Sequence, residues 1–359
     1  MKRICFLFNH FQFQDGVCRS AIAMANLLAY RNDVEVTLMS IYKFEKETKR
    51  YLNPKVKTTN IFGFYFRGFS KFVEKLPHSL IYKRFVKDCF DIEIAFQYGT
   101  SYKILTSVDK PSKVKRIGWI HGYDMTFKHY YLKMDQMVSV SKGGAIMAHH
   151  DLNGNVPVSY CYNPIDNDKV VRQGAESIPI KRINGGIQLI TVGRLSPEKG
   201  YDRLISIVKR LKDDGYFFSL WIIGNGPERE KLSSHIKESG LTDTVTLLGA
   251  QTNPHSYTSK ADAFICSSFS EGYSTACTEA IMLGIPVITT KVGGAKEIIE
   301  DSQCGILTET DDAALYHGIK KVLDNPTLIA EWKESLKTTK KRFSTNNRFQ
   351  QLKNILQLD

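Results

Sequence analysis

The sequence predicts an α/β protein built from two doubly wound, mostly parallel sheets. Short apolar segments alternate with amphipathic ones along the chain, and this pattern starts again near Ile187 after a polar interval. Such alternation is typical of open parallel sheets that are covered by helices on both faces. The length of 359 residues also suits two domains of ordinary size.

The first half of the chain contains one clear helix and a series of strands. A buried strand is expected over Arg3–Phe8, where apolar residues follow one another without a break. A helix is expected over Val17–Ala29, because apolar side chains recur there at helical spacing. Further strands are predicted over Val34–Met39, Asp91–Phe96, Lys115–Ile120 and Gln136–Val140.

The second half repeats the pattern after a polar stretch. Residues from Asn163 to Gly186 are mostly polar and end in two glycines, which indicates a linker. Apolar positions on one face predict a helix over about Lys199–Leu211. Strands are predicted over Ile187–Val192, Phe217–Ile223, Thr244–Leu248, Asp262–Cys266 and Val287–Thr289.

Composition argues against several classes of protein. No apolar run approaches the ~18 residues that a membrane-spanning helix needs, and the run Ile4–Phe8 is too short for a signal peptide. The seven cysteines are scattered and include no C-x-x-C pair. We therefore expect a protein of the reducing cytoplasm with neither a disulfide framework nor a zinc site.

Two motifs in the second half carry the chemistry. The sequence GRLSPEKG at 193–200 follows a strand, so Arg194 and Lys199 should emerge at the carboxyl edge of the sheet, beside the start of a helix. The sequence EGYSTACTE at 271–279 sets Glu271 and Glu279 eight positions apart. Cations suit a diphosphate, and carboxylates suit sugar and ribose hydroxyls. Together the motifs indicate a nucleotide-sugar site.

This pair of motifs resembles the donor site of retaining glycosyltransferases of the GT-B fold, family GT4 (glycosyl transferases group 1). The resemblance extends through Leu189–Arg194, Trp221–Pro227 and Gly293–Ile299. It is close over about 188–325 and weak over the first half. It implies two Rossmann-like domains that face each other across a cleft. The acceptor domain would span 1–166, with a C-terminal helix at about 340–359 packing back on it, and the donor domain would span 167–339.

The resemblance also assigns roles to the motif residues. Arg194 and Lys199, beside Gly193, would bind the donor diphosphate and neutralise it as the leaving group. Glu271 would contact the transferred sugar, and Glu279 would accept from the ribose. Further donor contacts are expected from Gly272, Tyr273, Ser274 and Thr275, with Ser274 as the cap of a helix over Thr275–Leu283. The alternative for each charged residue is an ordinary solvated side chain near a helix start.

Four other residues are weaker candidates. His121 follows the strand Arg116–Ile120, and the resemblance places it near the donor sugar and the reaction centre as a catalytic residue; a purely structural histidine is the alternative. Gly16 ends the first strand-to-helix loop, which in the family approaches the donor phosphate. Gly224 and Gly226 form a turn that is either near the nucleotide or purely structural.

A metal or a nicotinamide cofactor is not expected. The clear D-x-D sequence, Asp166-Asn167-Asp168, lies in the predicted linker and is interpreted as chance. The cations and helix ends would supply the electrostatic role of a metal. No G-x-G-x-x-G follows the first strand, which argues against a dinucleotide-binding dehydrogenase.

The net charge of +12 is concentrated in one segment of the first half. Between Tyr42 and Lys87, twelve Lys or Arg residues accompany three Glu residues. Aromatic residues lie among these cations, and Phe69 among them is expected to insert into a membrane. This combination suits an anionic membrane surface or a lipid-linked substrate better than nucleic acid, for which no binding motif is present. An ordinary surface helix is the alternative. The cations expected at the membrane or acceptor are Arg67, Lys71, Lys75, Lys83, Arg84 and Lys87.

These observations and the resemblance together predict a retaining, metal-independent glycosyltransferase of the hexosyltransferase type. It would move a sugar from a nucleotide-sugar donor, expected to be UDP-linked, to a lipid-linked saccharide in O-antigen- or capsule-type surface polysaccharide synthesis. It would lie peripherally on the cytoplasmic face of the membrane. The alternatives are the same chemistry on a soluble or protein acceptor, and a non-catalytic transferase-like partner protein.

Overall fold

The computed structural model describes residues 1–12, 16–122, 124–182 and 185–359. The chain forms two compact units. The first consists of Met1–Pro164 together with Arg348–Asp359, and the second of Ile165–Asn347.

The first unit is built on a parallel sheet of seven strands in the order β3-β2-β1-β4-β5-β6-β7. The strands are β1 (Lys2–Phe8), β2 (Val34–Ser40), β3 (Lys57–Asn60), β4 (Ile92–Ala95), β5 (Lys115–Ile120), β6 (Gln136–Ser139) and β7 (Val158–Tyr160). The helices are α1 (Gly16–Ala29), α2 (Phe69–Lys75), α3 (His78–Phe85), α4 (Thr100–Leu105), α5 (Lys128–Tyr131) and α6 (Lys142–Asp151), and a 3-10 helix covers Lys46–Tyr51.

The second unit is built on a parallel sheet of six strands in the order β10-β9-β8-β11-β12-β13. Its strands are β8 (Ile187–Val192), β9 (Phe218–Ile223), β10 (Val245–Gly249), β11 (Ala263–Cys266), β12 (Val287–Thr290) and β13 (Gly305–Thr308). Its helices are α7 (Asn167–Gly174), α8 (Tyr201–Asp213), α9 (Arg229–Glu238), α10 (Pro254–Thr258), α11 (Thr275–Met282), α12 (Ala295–Ser302), α13 (Asp312–Asp324) and α14 (Thr327–Thr339), with 3-10 helices over Pro197–Lys199 and Lys340–Phe343.

The last helix, α15 (Thr345–Leu356), passes from the second unit into the first. Thr345 still donates to the carbonyl of Ile165 in the second unit at 2.6 Å. From Arg348 onward the helix packs on the first unit, where the Arg348 guanidinium donates to the carbonyl of Asn163 at 2.5 Å. The return therefore begins at 348, later than the predicted 340.

Both sheets reverse strand order beside their first strand, as in Rossmann-like folds. In the first unit the reversal lies between β1 and β4, and in the second between β8 and β11. In open parallel sheets, ligands bind at the carboxyl ends of the strands that flank such a reversal. The prediction of two doubly wound α/β domains is confirmed.

The predicted linker is wrong in its middle part. Asp166 caps α7 by accepting from the amide of Lys169 at 2.9 Å, and Val170 is buried beneath it. The helix packs on α10 and α11, so it belongs to the second unit. Asp166 and Asp168 thus flank a helix start, and the D-x-D sequence has a structural explanation in its cap. Among the described residues, no cluster of three or more His, Cys, Asp or Glu side chains could hold a metal ion.

Candidate functional site

The two motifs meet at the carboxyl edge of the second sheet. Lys199 lies in the 3-10 helix that follows β8, and Glu271 lies in the loop after β11, the strand next to β8. The Lys199 ammonium and the Glu271 carboxylate are 2.5 Å apart. Although 72 positions separate them in the chain, the reversal of strand order brings their loops together.

The Lys199–Glu271 pair is partly buried and shares a third partner. The hydroxyl of Ser268 donates to the same Glu271 oxygen, Oε1, at 2.9 Å. Burial alone would lower the pKa of Lys199, but the charge of Glu271 and their hydrogen bond outweigh it and raise that pKa. Lys199 is therefore a fixed cation at neutral pH.

Backbone contacts explain why the two loops lie so close. The hydroxyl of Ser267 donates to the carbonyl of Lys199 at 2.9 Å, and the amide of Phe269 donates to the carbonyl of Glu198 at 2.8 Å. Gly200 has a φ of +66°, and a Cβ there would lie 2.3 Å from the carbonyl oxygen of Ser267. Only glycine fits this approach. As a result α8 begins at Tyr201, two residues later than predicted.

Arg203 of α8 fastens the loop that leads to Glu271, and sequence analysis did not identify it. Its buried guanidinium donates from Nε to the carbonyl of Ser267 at 2.9 Å and from Nη2 to the carbonyl of Ser268 at 3.0 Å. It also donates to the carbonyl of Thr310. On its outer side it stacks on the ring of Phe269 at 3.7 Å. The fork geometry of arginine suits such convergent carbonyls.

Glu279 lies on α11, as predicted, one turn beyond its cap. Ser274 caps this helix by accepting from the amide of Cys277 at 3.2 Å. The carboxylate Oε2 of Glu279 is 3.3 Å from Nε2 of His255 on α10. On its other side, Nδ1 of His255 lies 2.9 Å from Oε1 of Gln173. Sequence analysis missed His255, because α10 carries no recognised motif.

The remaining motif residues line the same edge. Arg194 is exposed, and no salt bridge to a carboxylate is found for it among the residues that the structure describes. Tyr273 is buried, whereas Gly272, Ser274 and Thr275 are partly exposed. The structure thus brings Lys199 and Glu271 into contact and leaves Arg194 open to solvent.

Gly224 and Gly226 have a clear packing role. A Cβ on Gly224 would lie 1.8 Å from the carbonyl oxygen of Gly193, and one on Gly226 would lie 2.3 Å from that of Leu195. The amide of Leu195 also donates to the carbonyl of Asn225 at 3.0 Å. The loops after β8 and β9 therefore cross backbone to backbone, which accounts for the glycines whether or not a nucleotide lies nearby.

In the first unit, His121 directly follows β5. Its Nε2 atom is buried and has no hydrogen-bond partner among the described residues. Its ring contacts Phe96 edge-on, with the ring centroids 4.5 Å apart. Burial lowers the pKa of His121 to about 3, so the imidazole is neutral. A neutral ring with an unsatisfied nitrogen is suited to contact a polar ligand, which favours the functional interpretation.

Other polar groups at the carboxyl edge of the first sheet were not identified from the sequence. The side-chain oxygen of Gln97, after β4, accepts from the amides of Asn9 at 2.9 Å and His10 at 3.2 Å. Burial lowers the pKa of His10. Gly16 begins α1 with open space where a Cβ would be, while Asp15 lies outside the described residues.

The basic segment, residues 42–87, contains the 3-10 helix Lys46–Tyr51, β3, α2 and α3. Its six predicted cations, Arg67, Lys71, Lys75, Lys83, Arg84 and Lys87, are all exposed. The aromatic residues divide into two groups. Phe64, Phe66 and Phe72 are 53%, 58% and 56% exposed. Phe69 is 3% exposed, so its expected role as a membrane-inserting residue is wrong: it packs inward against Tyr42 and Phe62.

The segment is anchored to the sheet by a buried polar cluster. The hydroxyl of Tyr82 on α3 donates to Glu93 of β4 at 2.8 Å, and Glu93 accepts from Arg116 of β5 at 3.1 Å. Glu93 and Arg116 are almost completely buried.

Among the described residues, no helix is both long and apolar enough to cross a membrane.

The second unit matches a known family model. Residues 175–341 match the family model described as glycosyl transferases group 1. The second unit belongs to this family. The matched range covers both motifs of the site and all six strands of the second sheet.

Curated relatives match part of the chain. An N-acetylgalactosamine-N,N'-diacetylbacillosaminyl-diphospho-undecaprenol 4-alpha-N-acetylgalactosaminyltransferase of Campylobacter jejuni is 32% identical over 220 residues, which cover 59% of this chain and 57% of that enzyme. The lipopolysaccharide core biosynthesis glycosyltransferase LpsD of Rhizobium meliloti is 32% identical over 141 residues, covering 39% of this chain and 40% of that protein. The chain thus matches about half of the length of these relatives.

Solved structures match over the whole chain at low identity. The Anabaena protein HepE in complex with UDP has a TM-score of 0.74 and 18% identity, with 99% of this chain and 100% of that one covered. The lipopolysaccharide outer core galactosyltransferase WaaB has a TM-score of 0.75 and 19% identity, with 99% of each chain covered. The fold is therefore that of the GT-B glycosyltransferases, which confirms the predicted fold.

Proposed function

We propose that this protein is a retaining glycosyltransferase that transfers a sugar from a UDP-sugar to a lipid-linked saccharide during surface polysaccharide synthesis. The observation that carries the proposal is the 2.5 Å contact between Lys199 and Glu271. It joins a cation suited to a diphosphate with a carboxylate suited to sugar hydroxyls, at the edge where such sheets bind ligands.

The donor end of the reaction follows from these charges. A diphosphate offers the Lys199 ammonium new anionic oxygens, and a sugar offers the Glu271 carboxylate new hydroxyl donors. The exposed guanidinium of Arg194 supplies a second, planar cation for the phosphate oxygens. As the bond between the sugar and the diphosphate breaks, negative charge grows on the leaving oxygens. Fixed cations stabilise that charge without the help of a metal.

The nucleotide end is assigned to Glu279. Its carboxylate is held on α11 beside His255, and it is partly exposed, so it can still accept from hydroxyl donors. Ribose hydroxyls fit this arrangement because a carboxylate is purely an acceptor when ionised. HepE, which is similar in fold, was solved in complex with UDP, and this supports a uridine nucleotide as the donor here.

The stereochemistry is proposed to be retaining, with the acceptor attacking from the face that the diphosphate leaves. In such a reaction the leaving diphosphate helps to take the proton of the acceptor hydroxyl, and we assign no protein nucleophile. His121 is neutral and offers a buried nitrogen. It would orient a hydroxyl of the donor sugar near the reacting carbon.

A lipid-linked acceptor is supported by the relatives and by the basic segment. The name of the Campylobacter jejuni enzyme includes a diphospho-undecaprenol acceptor, and the Rhizobium meliloti protein acts in lipopolysaccharide core biosynthesis. The exposed cations and exposed phenylalanines of α2 and the preceding loop suit an anionic lipid surface. We therefore place the protein peripherally on the cytoplasmic face of the membrane.

The decisive experiment measures transfer directly. The purified chain is incubated with UDP-, GDP- and ADP-sugars, with EDTA present, and release of the free nucleotide is followed with and without a polyprenyl-diphosphate-linked saccharide. We expect turnover with a UDP-sugar that the lipid-linked acceptor stimulates, and an α-linkage in the product by NMR. Turnover that only a soluble acceptor stimulates would support the soluble-acceptor alternative. No turnover of any donor would leave the non-catalytic alternative.

A further inference from the structure

A cavity of about 350 Å³ lies in the first unit, and the residues that line it belong to the N-terminal part of the basic segment. Its walls are the segment 43–46 with Lys49, the last three residues of β3, and Gly63. Because β2 and β3 are parallel and end side by side, with Ser40 opposite Asn60, the cavity lies at the carboxyl edge of the sheet. This is the edge where parallel sheets bind ligands.

The cavity carries an excess of positive charge. Lys43, Lys46 and Lys49 line it and are exposed, and the one carboxylate among the described lining residues is Glu45. The hydroxyl of Thr48 donates to that carboxylate at 3.3 Å. No salt bridge joins the three lysines to a carboxylate among the residues that the structure describes. Three like charges around one space repel each other, so they favour an anion between them.

Hydrogen bonds and a ring contact hold the segment that carries Lys43 in place. The carbonyl of Lys43 accepts from the hydroxyl of Ser40 at 3.2 Å, and the amide of Glu45 donates to the carbonyl of Phe11 at 3.1 Å. Between them, the ring of Phe44 stacks on that of Phe11, with the centroids 4.6 Å apart. The backbone that carries Lys43 is thus held in place before any ligand binds.

The hydrogen-bond donors that line the cavity suit a phosphoryl group. Lysine ammonium groups act as compact point charges and have no preferred bidentate geometry, whereas planar carboxylates are best matched by arginine forks. No arginine lines the cavity among the described residues. Thr58, Thr59 and Asn60 of β3 also line the cavity and are neutral polar residues.

We propose that this cavity is a phosphoryl-binding site, with Lys43, Lys46 and Lys49 as its cations. The volume is sufficient for a diphosphate with part of the group attached to it. Two sources offer this chemistry: a soluble phosphorylated molecule and the headgroup of a lipid. Gly63 lies in the wall, and the exposed rings of Phe64 and Phe66 lie within the next three residues of the chain. The proposal does not depend on sugar transfer.

Lysine acetylation of the full chain, read out by mass spectrometry, tests the site residue by residue. Inorganic pyrophosphate should protect Lys43, Lys46 and Lys49 in a saturable manner. Lys113 and Lys133, which are exposed in the same unit but outside the cavity, should keep their reactivity. Citrate at equal ionic strength should not protect the three lysines. Because acetylation is measured for each lysine separately, protection of the cavity lysines can be distinguished from protection of Lys199 at the proposed donor site.

A paired set of variants checks that the lysines act together. The double variant Lys46→Gln with Lys49→Gln should raise the pyrophosphate concentration that half-protects Lys43 by about tenfold or more. Two charged hydrogen-bond donors are lost in this variant. Lys113→Gln with Lys133→Gln should leave that concentration unchanged. Release of nucleotide from a UDP-sugar in the absence of acceptor should be equal in both variants, so this proposal and the proposed function can fail separately.

Vesicles distinguish the two sources. Protection by vesicles of phosphatidic acid in phosphatidylcholine, and not by phosphatidylcholine alone, would assign the site to a lipid phosphate. Protection by pyrophosphate alone would assign it to a soluble ligand. The proposal is overturned if neither probe protects the three lysines, if citrate protects them equally, or if the Lys46/Lys49 variant retains full protection of Lys43.

Discussion

The imidazole of His255 bridges Glu279 of α11 and Gln173 of α7. Its Nε2 atom is 3.3 Å from Oε2 of Glu279, and its Nδ1 atom is 2.9 Å from Oε1 of Gln173. One ring nitrogen therefore faces the carboxylate that we assign to the ribose. The position of this carboxylate depends on two helices besides its own.

The two carboxylates should differ in what they bind. Glu279→Gln is expected to weaken binding of free UDP as well as of the sugar donor, because its partner is the ribose. Glu271→Gln should leave UDP affinity nearly unchanged and impair transfer, because its partner is the sugar. Calorimetry with UDP on both variants measures the difference. Equal losses of UDP affinity would contradict this division of roles.

The two cations should matter mainly to turnover. Arg194→Ala and Lys199→Ala are each expected to lower kcat about a hundredfold or more, since each removes a preorganised charge from the leaving group. Lys209→Ala is a suitable control, because among the described residues the ammonium of Lys209 pairs only with the exposed Asp213 on α8. Activity at the parental level in both site variants would rule out the assigned diphosphate site.

Arg203 should support both stability and the site. Arg203→Ala leaves the carbonyls of Ser267 and Ser268 without their donor, so we expect a loss of about 2–4 kcal/mol in the free energy of unfolding. Arg203→Lys should recover only part of it, because lysine lacks the fork. Arg210→Ala, which removes the contact between the exposed guanidinium of Arg210 and the ring of Tyr316, should cost about 1 kcal/mol or less. Urea titrations of the three variants provide the comparison.

The exposed and buried aromatic residues of the basic segment predict opposite phenotypes. Phe72→Ser should weaken binding to anionic vesicles without changing its salt dependence or the stability of the fold. Phe69→Ser should instead destabilise the protein, because that ring is 3% exposed. Vesicle flotation and thermal unfolding distinguish these outcomes. A stable Phe69→Ser protein with a specific binding defect would contradict the packing described above.

The cations of this segment should set the salt dependence. Replacing Lys71, Lys75, Lys83 and Lys87 with Gln removes about 1 kcal/mol of attraction per residue near an anionic surface. Vesicle binding should be abolished at moderate salt, while donor hydrolysis persists. If the parent protein never binds anionic vesicles, the membrane assignment fails and a soluble acceptor replaces it.

His121 should make the protein less stable in mild acid. Its pKa is about 3 in the folded protein against 6.5 for an unperturbed histidine. As the pH falls below about 6.5, the unfolded chain takes up a proton that the folded chain does not, so stability is complete above this pH and decreases below it. We expect a loss of about 2 kcal/mol between pH 7 and pH 5. The denaturant midpoint of His121→Gln should fall less between pH 7 and pH 5 than that of the parent protein. An equal fall in both proteins would contradict the low pKa of His121.

The sequence predicted the strands that carry long apolar runs and the cap at Ser274. It did not predict β3, whose residues Lys57–Asn60 are polar and largely exposed at the sheet edge. It also missed α7, because the apolar face of that helix is little more than the buried Val170. In both cases neighbouring elements in the fold stabilise a segment that has little hydrophobic pattern of its own.

The site was predictable where a motif exists, and only there. Arg194, Lys199, Glu271 and Glu279 lie in two recognisable stretches of sequence. Arg203 and His255 act through contacts that arise only when α8 and α10 are in place. The spacing of aromatic residues along the chain could not show whether the ring of Phe69 points inward or outward. Helical spacing applies only from Phe69 onward, because α2 begins at that residue.

The backbone crossing of the loops after β8 and β9 determines which positions at this edge of the sheet can be substituted. Gly224 and Gly226 meet the loop after β8 through main-chain atoms, whereas Gly193 also lies against the side chain of Tyr201. Asn225 is exposed, and its side chain contacts only the adjacent amide of Gly226 among the bonds described. The side chain at position 225 can therefore change while the backbone crossing stays intact. If the proposed donor lies beside this turn, such a change would alter donor preference.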